Sequence, residues 1–286
     1  MILKGWGEPK AVKKRWIMKL VVCSDLHYAS ETPVHNTKSS HRKLWNVAVP
    51  LMEKFIHKID NDIKPDAVVF LGDFIEDLQD YDKDIRNFSF IWKLIKNMKT
   101  PFYSVVGNHD LRTVKNEDEI KNIMEYENLT YSINIKGYHL VFLGLTISEH
   151  APPPAQGGIH RTRYISDKNI KWLKNDLKQN NLPVLIFHHF GIAEDNMKGN
   201  YWFGEKAEMG LLGNRTELKE ILKADKNILA VFSGHQHWTK KLTEDGIDYY
   251  VIGALTENVN DDGIPDGVYF EVDLEDKEIK VSHQHL

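Results

Sequence analysis

Lys19-Leu20-Val21-Val22-Cys23-Ser24-Asp25-Leu26-His27 joins an apolar run to a polar end. Leu20 to Cys23 is an unbroken apolar run with no turn residue, the pattern of a short strand covered on both faces. It ends abruptly in a serine, an aspartate and a histidine. The same form recurs down the chain. Residues 67–71 run into Gly72-Asp73, and residues 102–106 into Gly107-Asn108-His109-Asp110. Residues 184–187 run into His188-His189, and 228–232 lead to Gly234-His235-Gln236-His237. Residues 140–145 read as a further buried strand. In an open α/β sheet, ligands bind beyond the carboxyl ends of the strands. Separate elements therefore carry Asp, His and Asn to one rim. In extended chain, residues two apart face the same way, so Asp25 with His27, and His235 with His237, would each aim at a common point. A lone D-x-H or H-x-H is weak evidence; this set, in this order and each closing a strand, is not.

Helical patterns lie between the strands. Leu51, Phe55, Ile59 and Ile63 recur every four residues, with Pro50 starting or kinking the helix. Ile85, Ile91, Leu94 and Ile95 mark a second helix. Ile170, Leu173 and Leu177 mark a third, with Ser166 or Asp167 as its cap. A fourth carries Leu218, Ile221 and Leu222, with Asn214 as its cap. From Trp238 onward the pattern switches to strands and turns such as Asp245-Gly246 and Asp262-Gly263.

A length of 286 residues with no internal repeat or linker fits one domain over residues 18–286. The net charge of −4 argues against a broad nucleic-acid footprint. Cys23 stands alone and can form no internal disulfide, which fits a reducing, cytoplasmic setting. No apolar run reaches the ~18 residues of a membrane helix, so no membrane partner is expected. Residues 1–17 are basic and lack the apolar core of a signal peptide, and Met18 directly precedes the first strand. They are expected to be either a non-native start or a short packed extension. Two irregular stretches stand out. Residues 149–163 hold His160 and Arg161, a basic pair suited to a phosphate or to anchoring the loop. Residues 191–213 hold Tyr201-Trp202-Phe203, which would stack on a ring, pack the loop or form a dimer contact.

The five blocks at residues 25–27, 72–73, 107–110, 188 and 234–237 resemble the D-x-H, GD, GNH(D/E), H and GHxH signature of the calcineurin-like metallophosphoesterases, over roughly residues 19–238. The resemblance implies an α/β fold: a four-layer αββα sandwich of two mixed sheets with helices outside. It implies two divalent ions. Asp25, His27, Asp73 and His237 would hold the first; Asp73, Asn108, His188 and His235 would hold the second, with Asp73 bridging. His188 is preferred to His189 because the family's ligand is the first histidine after the strand. His109 would be the catalytic histidine that binds no metal. The implied reaction is hydrolysis of a phosphoric ester by in-line attack of a metal-bridging hydroxide. An all-nitrogen-and-oxygen ligand set suits Mn, Fe, Zn, Co or Ni.

Departures from the family narrow the choice. The phosphate-gripping arginine of the phosphoprotein phosphatases is missing after Gly72-Asp73, and the iron-binding tyrosine of the purple acid phosphatases is Glu76 here. Glu76 would orient His109 or be a solvated loop acid. The later segments resemble small-molecule phosphodiesterases, which implies a small soluble phosphodiester as substrate. A phosphomonoester, DNA as a nuclease substrate, and a non-catalytic binding role are the alternatives. The acidic balance counts against the nuclease, and the complete ligand set against the binding module.

Overall fold

The computed structural model describes residues 16–33, 41–147 and 162–286. Its six expected strands form as β1 (Ile17–Cys23), β2 (Ala67–Phe70), β3 (Phe102–Ser104), β5 (Tyr138–Leu143), β6 (Val184–His188) and β7 (Ile228–Ser233). A short β4 (Tyr131–Ile135) precedes β5, and the tail adds β8 (Lys240–Glu244), β9 (Ile247–Val251), β10 (Val268–Glu275) and β11 (Glu278–His285). The strands make two mixed sheets, ordered β11-β10-β1-β2-β3 and β4-β5-β6-β7-β9-β8. β1, β2 and β3 run parallel, as do β5, β6, β7 and β9. All their carboxyl ends therefore fall on one rim of each sheet.

Alternation along each strand assigns its two faces. Leu20, Val22, Val69, Leu140, Phe142, Phe187 and Phe232 pack together between the sheets. Val21, Cys23, Val68, Phe70, Val141, Ile186 and Val231 face outward, onto the helices. The helices are α1 (Ala48–Lys58), α2 (Tyr81–Ile95), α3 (Glu117–Met124), α4 (Asp167–Gln179) and α5 (Arg215–Ala224). Phe55 of α1 meets Phe70, and Trp92 of α2 meets Phe102 and Phe74, all edge to face. The result is the four-layer αββα sandwich. Its inner faces are closed to water, so the polar residues that end the parallel strands are gathered at the rim.

One of the two cap expectations needs correction. Ser166 caps α4, its hydroxyl accepting from the Asn169 N–H at 3.2 Å. Asn214 does not cap α5 in this way. Its amide instead bridges both backbone polar groups of Ile165, at 3.1 and 2.8 Å, and ties the start of α5 to the start of α4. Residues 1–15 lie outside the described residues. Trp16 and Ile17 belong with β1 and its surroundings: the Trp16 carbonyl accepts from the Tyr138 hydroxyl at 3.2 Å and from the Asp276 N–H at 2.8 Å. Among the described residues, no helix is long and apolar enough to cross a membrane.

Candidate metal centre

Five residues of the rim, Asp25, His27, Asp73, His235 and His237, have positive φ between 49° and 63°. That region is uncommon for residues with a Cβ, and a cluster of such residues marks stored strain. It also changes the reason why D-x-H and H-x-H converge. The pairs are not extended chain with side chains on one face; tight left-handed turns just past β1, β2 and β7 aim them. Gly234 allows the approach of two of these turns, because a Cβ there would lie 1.9 Å from the Ser24 hydroxyl and 2.6 Å from Asp25 Oδ2.

Asp25, His27 and His237 form one group of ligand atoms. Asp25 Oδ1 is 3.6 Å from His27 Nε2 and 3.3 Å from His237 Nε2, and the two imidazole nitrogens are 2.9 Å apart. Donors each about 2.1 Å from one ion stand roughly 3 to 3.5 Å apart, so the triangle has the size a cation needs. Asp25 Oδ2 accepts from the His235 N–H at 3.0 Å and from the Ser24 hydroxyl, while Oδ1 is buried with no hydrogen-bond partner. A buried carboxylate oxygen without a donor is costly, and a cation in the triangle would satisfy it.

Asp73, His189 and His235 form a second group, and His27, Asp73 and His109 a third that shares a residue with each of the others. Asp73 Oδ2 lies 3.4 Å from His189 Nε2 and 3.7 Å from His27 Nε2, so it sits between the two groups. Its Oδ1 accepts from the His109 N–H at 2.8 Å. Asn108 Oδ1 is 3.1 Å from His189 Nε2. The donors of both groups are carboxylate, imidazole and amide, which fit a pair of divalent ions of the Mn, Fe, Zn, Co or Ni kind.

The preference for His188 is overturned by this geometry. Neighbouring residues at the end of β6 point to opposite faces. His188 Nδ1 donates to the Leu143 carbonyl at 2.7 Å on one side. His189 turns to the other, with Nδ1 on the Leu71 carbonyl at 2.7 Å and Nε2 in the cluster. Burial pushes His188 down to about 4, so it stays neutral. Burial also disfavours charge on His189, but the Asp73 and Asp25 carboxylates outweigh it and hold the ring up at about 9. His237 is raised to about 9 in the same way, burial being outweighed by Glu257 and Asp25. The carboxylates thus draw positive charge into the cluster.

The outer partners are only partly visible in the sequence. His237 Nδ1 meets Glu257 Oε2 at 2.7 Å, and His27 Nδ1 meets Glu76 Oε2 at 2.7 Å; each acid turns Nε2 of its histidine inward. His109 Nδ1 meets Asp77 Oδ2 at 2.7 Å, whereas Glu76 stands 3.6 Å from it. The carboxylate that orients His109 is therefore Asp77, and Glu76 serves His27. Both acids stand in the run Glu76-Asp77, so the run carries the signal but does not say which neighbour turns to which histidine. Glu257 carries no spacing signal; a backbone bridge to Lys43 brings it in. Asp110 accepts from the N–H groups of Gly107, Phe74 and Ile75 at 2.8, 2.8 and 3.2 Å and locks the loops after β2 and β3 together.

Trp202 stands beside the cluster, its indole N–H on Glu257 Oε1 at 3.1 Å and its ring 5.6 Å from that of His237. Tyr201 is half exposed under the Arg42 guanidinium, 4.4 Å from the ring centroid. Tyr201 and Arg42 line a cavity of about 330 Å³ that reaches His237 and is lined also by Asn200, Trp238 and Asp266. His160 and Arg161 lie outside the described residues.

The family model described as calcineurin-like phosphoesterase matches residues 18–239. A probable glycerophosphodiester phosphodiesterase (GpdQ) of Arcobacter nitrofigilis is 26% identical over 225 residues, covering 77% of this chain and 72% of that protein. A probable cyclic nucleotide phosphodiesterase of Psychrobacter sp. is 20% identical over 205 residues, covering 67% of this chain and 52% of that protein. Among solved structures, a dimetal phosphatase from Danio rerio superposes with a TM-score of 0.67 at 15% identity, covering 93% of this chain and 98% of the other. A protein of Thermus thermophilus gives a TM-score of 0.54 at 14% identity, covering 93% and 98%. With the family matched over most of the chain and ligand groups that meet at Asp73, the chain belongs to the calcineurin-like phosphoesterases, two-metal hydrolases of phosphoric esters.

Proposed function

We propose that the chain hydrolyses a small soluble phosphodiester, with Asp25, His27 and His237 holding one ion, His189, His235 and Asn108 the other, and Asp73 shared. The observation that carries the reading is the sharing itself: one Asp73 oxygen lies within 3.7 Å of a nitrogen from each group. Bound there, a pair of divalent cations supplies Lewis acidity and an activated water at neutral pH. His109 is the acid. Asp77 fixes its Nδ1, so Nε2 is left to face the substrate. As the water oxygen bonds to phosphorus and the ester P–O bond breaks, the Nε2 proton passes to the departing alkoxide.

Two observations support a diester. The relatives that match are named as phosphodiesterases. The cavity beside His237, at about 330 Å³, is at the small end for ligand sites and would take the second ester group. Tyr201 and Arg42, which line that cavity, would contact the group. Manganese and iron fit the donor set, and a cytoplasmic setting fits a lone, buried Cys23. The test compares bis(p-nitrophenyl) phosphate with p-nitrophenyl phosphate on Mn²⁺-loaded protein. The diester is expected to be turned over with at least about tenfold higher kcat/KM, equivalent to ~1.4 kcal/mol in the barrier. A clear preference for the monoester would contradict the proposal.

A further inference from the structure

We propose that Lys43 is a catalytic cation of the phosphate site, its ammonium gripping, together with His109, the ester oxygen that leaves phosphorus. The inference rests on the phosphoesterase reading above and adds a residue to it. Lys43 belongs to no motif and lies in the connection between β1 and α1, far in sequence from the residues of β3 and the tail that it meets.

Its backbone bridges Glu257, the acid that holds His237, so the lysine is tied to the wall of the metal centre. The side chain is largely buried and lies over the Trp202 ring, with Nζ 5.3 Å from the centroid. Nζ stands 2.7 Å from Glu76 Oε2 and 3.4 Å from His109 Nε2. An ammonium carries three N–H groups, and Glu76 takes one. Glu76 also meets His27 at 2.7 Å, so it has a partner without the lysine. The imidazole nitrogen next to Nζ is the one Asp77 leaves facing the substrate. Two donors 3.4 Å apart can both reach one oxygen about 2.8 Å from each. Lysine suits this task as a compact point charge for phosphate. It gives up no proton; the proton that travels is that of His109.

The test measures binding of inorganic phosphate to Mn²⁺-loaded protein by calorimetry, alongside kcat/KM on bis(p-nitrophenyl) phosphate and metal content. Lys43→Met is expected to weaken phosphate binding about tenfold or more and to lower kcat/KM by roughly 10- to 100-fold, as for loss of a hydrogen bond to a charged group. Both ions should remain, and Lys43→Arg should recover part of the affinity. Lys43→Gln gives the same comparison should the methionine variant fold poorly. Phosphate affinity within twofold of the parent, or an activity loss that merely follows lost metal, would overturn the proposal. Phosphate binding does not depend on turnover, so these outcomes stand apart from a failure of the parent protein to hydrolyse any ester, which would sink the functional reading instead.

Discussion

At the scale of single residues, chemistry here is decided by which way neighbouring side chains point. His188 and His189 are adjacent and both fully buried, yet only His189 reaches Asp73. Residue types and spacing place a histidine at the end of β6, but a pair leaves the choice to the turn. The same holds for Glu76 and Asp77. By contrast Asp25, His27, Asp73, Asn108, His235, His237 and His109 are legible because each closes an apolar strand. Substitution separates the two histidines. His189→Ala is expected to lose metal from one site. His188→Asn keeps a donor for the Leu143 carbonyl and should keep both ions. It should also change the acid limb of stability. The folded pKa of His188, about 4, lies below the ordinary 6.5, so an unfolded chain takes the proton first as pH falls. Its contribution is present above about 6.5 and is lost as pH falls towards about 4. A melting temperature that varies less with pH across that window in His188→Asn is the expected outcome. Metal loss in that variant, with none in His189→Ala, would restore the original choice.

At the scale of elements, the strands are readable because buried parallel strands are continuous apolar runs, and α1, α2 and α4 because their apolar residues recur at helical spacing. The short α3, which buries only Ile120 and Met124, offers too little pattern to be seen. The Asn214 cap fails because its amide finds a tertiary partner in Ile165. Turn chemistry accounts for the β4–β5 hairpin: Lys136 and Gly137 have φ of 48° and 89°, the mirror-image turn that suits strand twist. Gly137 is doubly constrained. A Cβ would lie 2.6 Å from the Trp16 ring, which packs edge-on to Tyr138. Gly137→Ala is therefore expected to destabilise the fold by about 1 to 3 kcal/mol, read as a lower melting temperature, while metal content and turnover of the folded protein hold. An unchanged melting temperature would mean that Trp16 does not pack as described.

At the scale of the whole molecule, two sheets with separate strand orders meet face to face, and their carboxyl-terminal rims supply the two ligand groups jointly. Asp25, His27 and Asp73 come from the sheet of β1 and β2; His189, His235 and His237 come from the sheet of β6 and β7. Each of the two groups assigned an ion draws on both sheets, so the paired centre forms only when the sandwich does. That dependence cannot be read from motif spacing, which orders residues along the chain but not across a sheet-to-sheet gap. Glu257 and Lys43, which reach the site through the tail and the loop before α1, stay hidden for the same reason. Asp73 is expected to join two ion sites while His109 holds none. Metal analysis by mass spectrometry on Mn²⁺-loaded protein tests it most directly. Two ions per chain are predicted for the parent and for His109→Ala, and at most one for Asp73→Asn, which removes a negative charge from between two cations. Two ions in Asp73→Asn, or fewer than two in His109→Ala, would contradict this assignment of ligands.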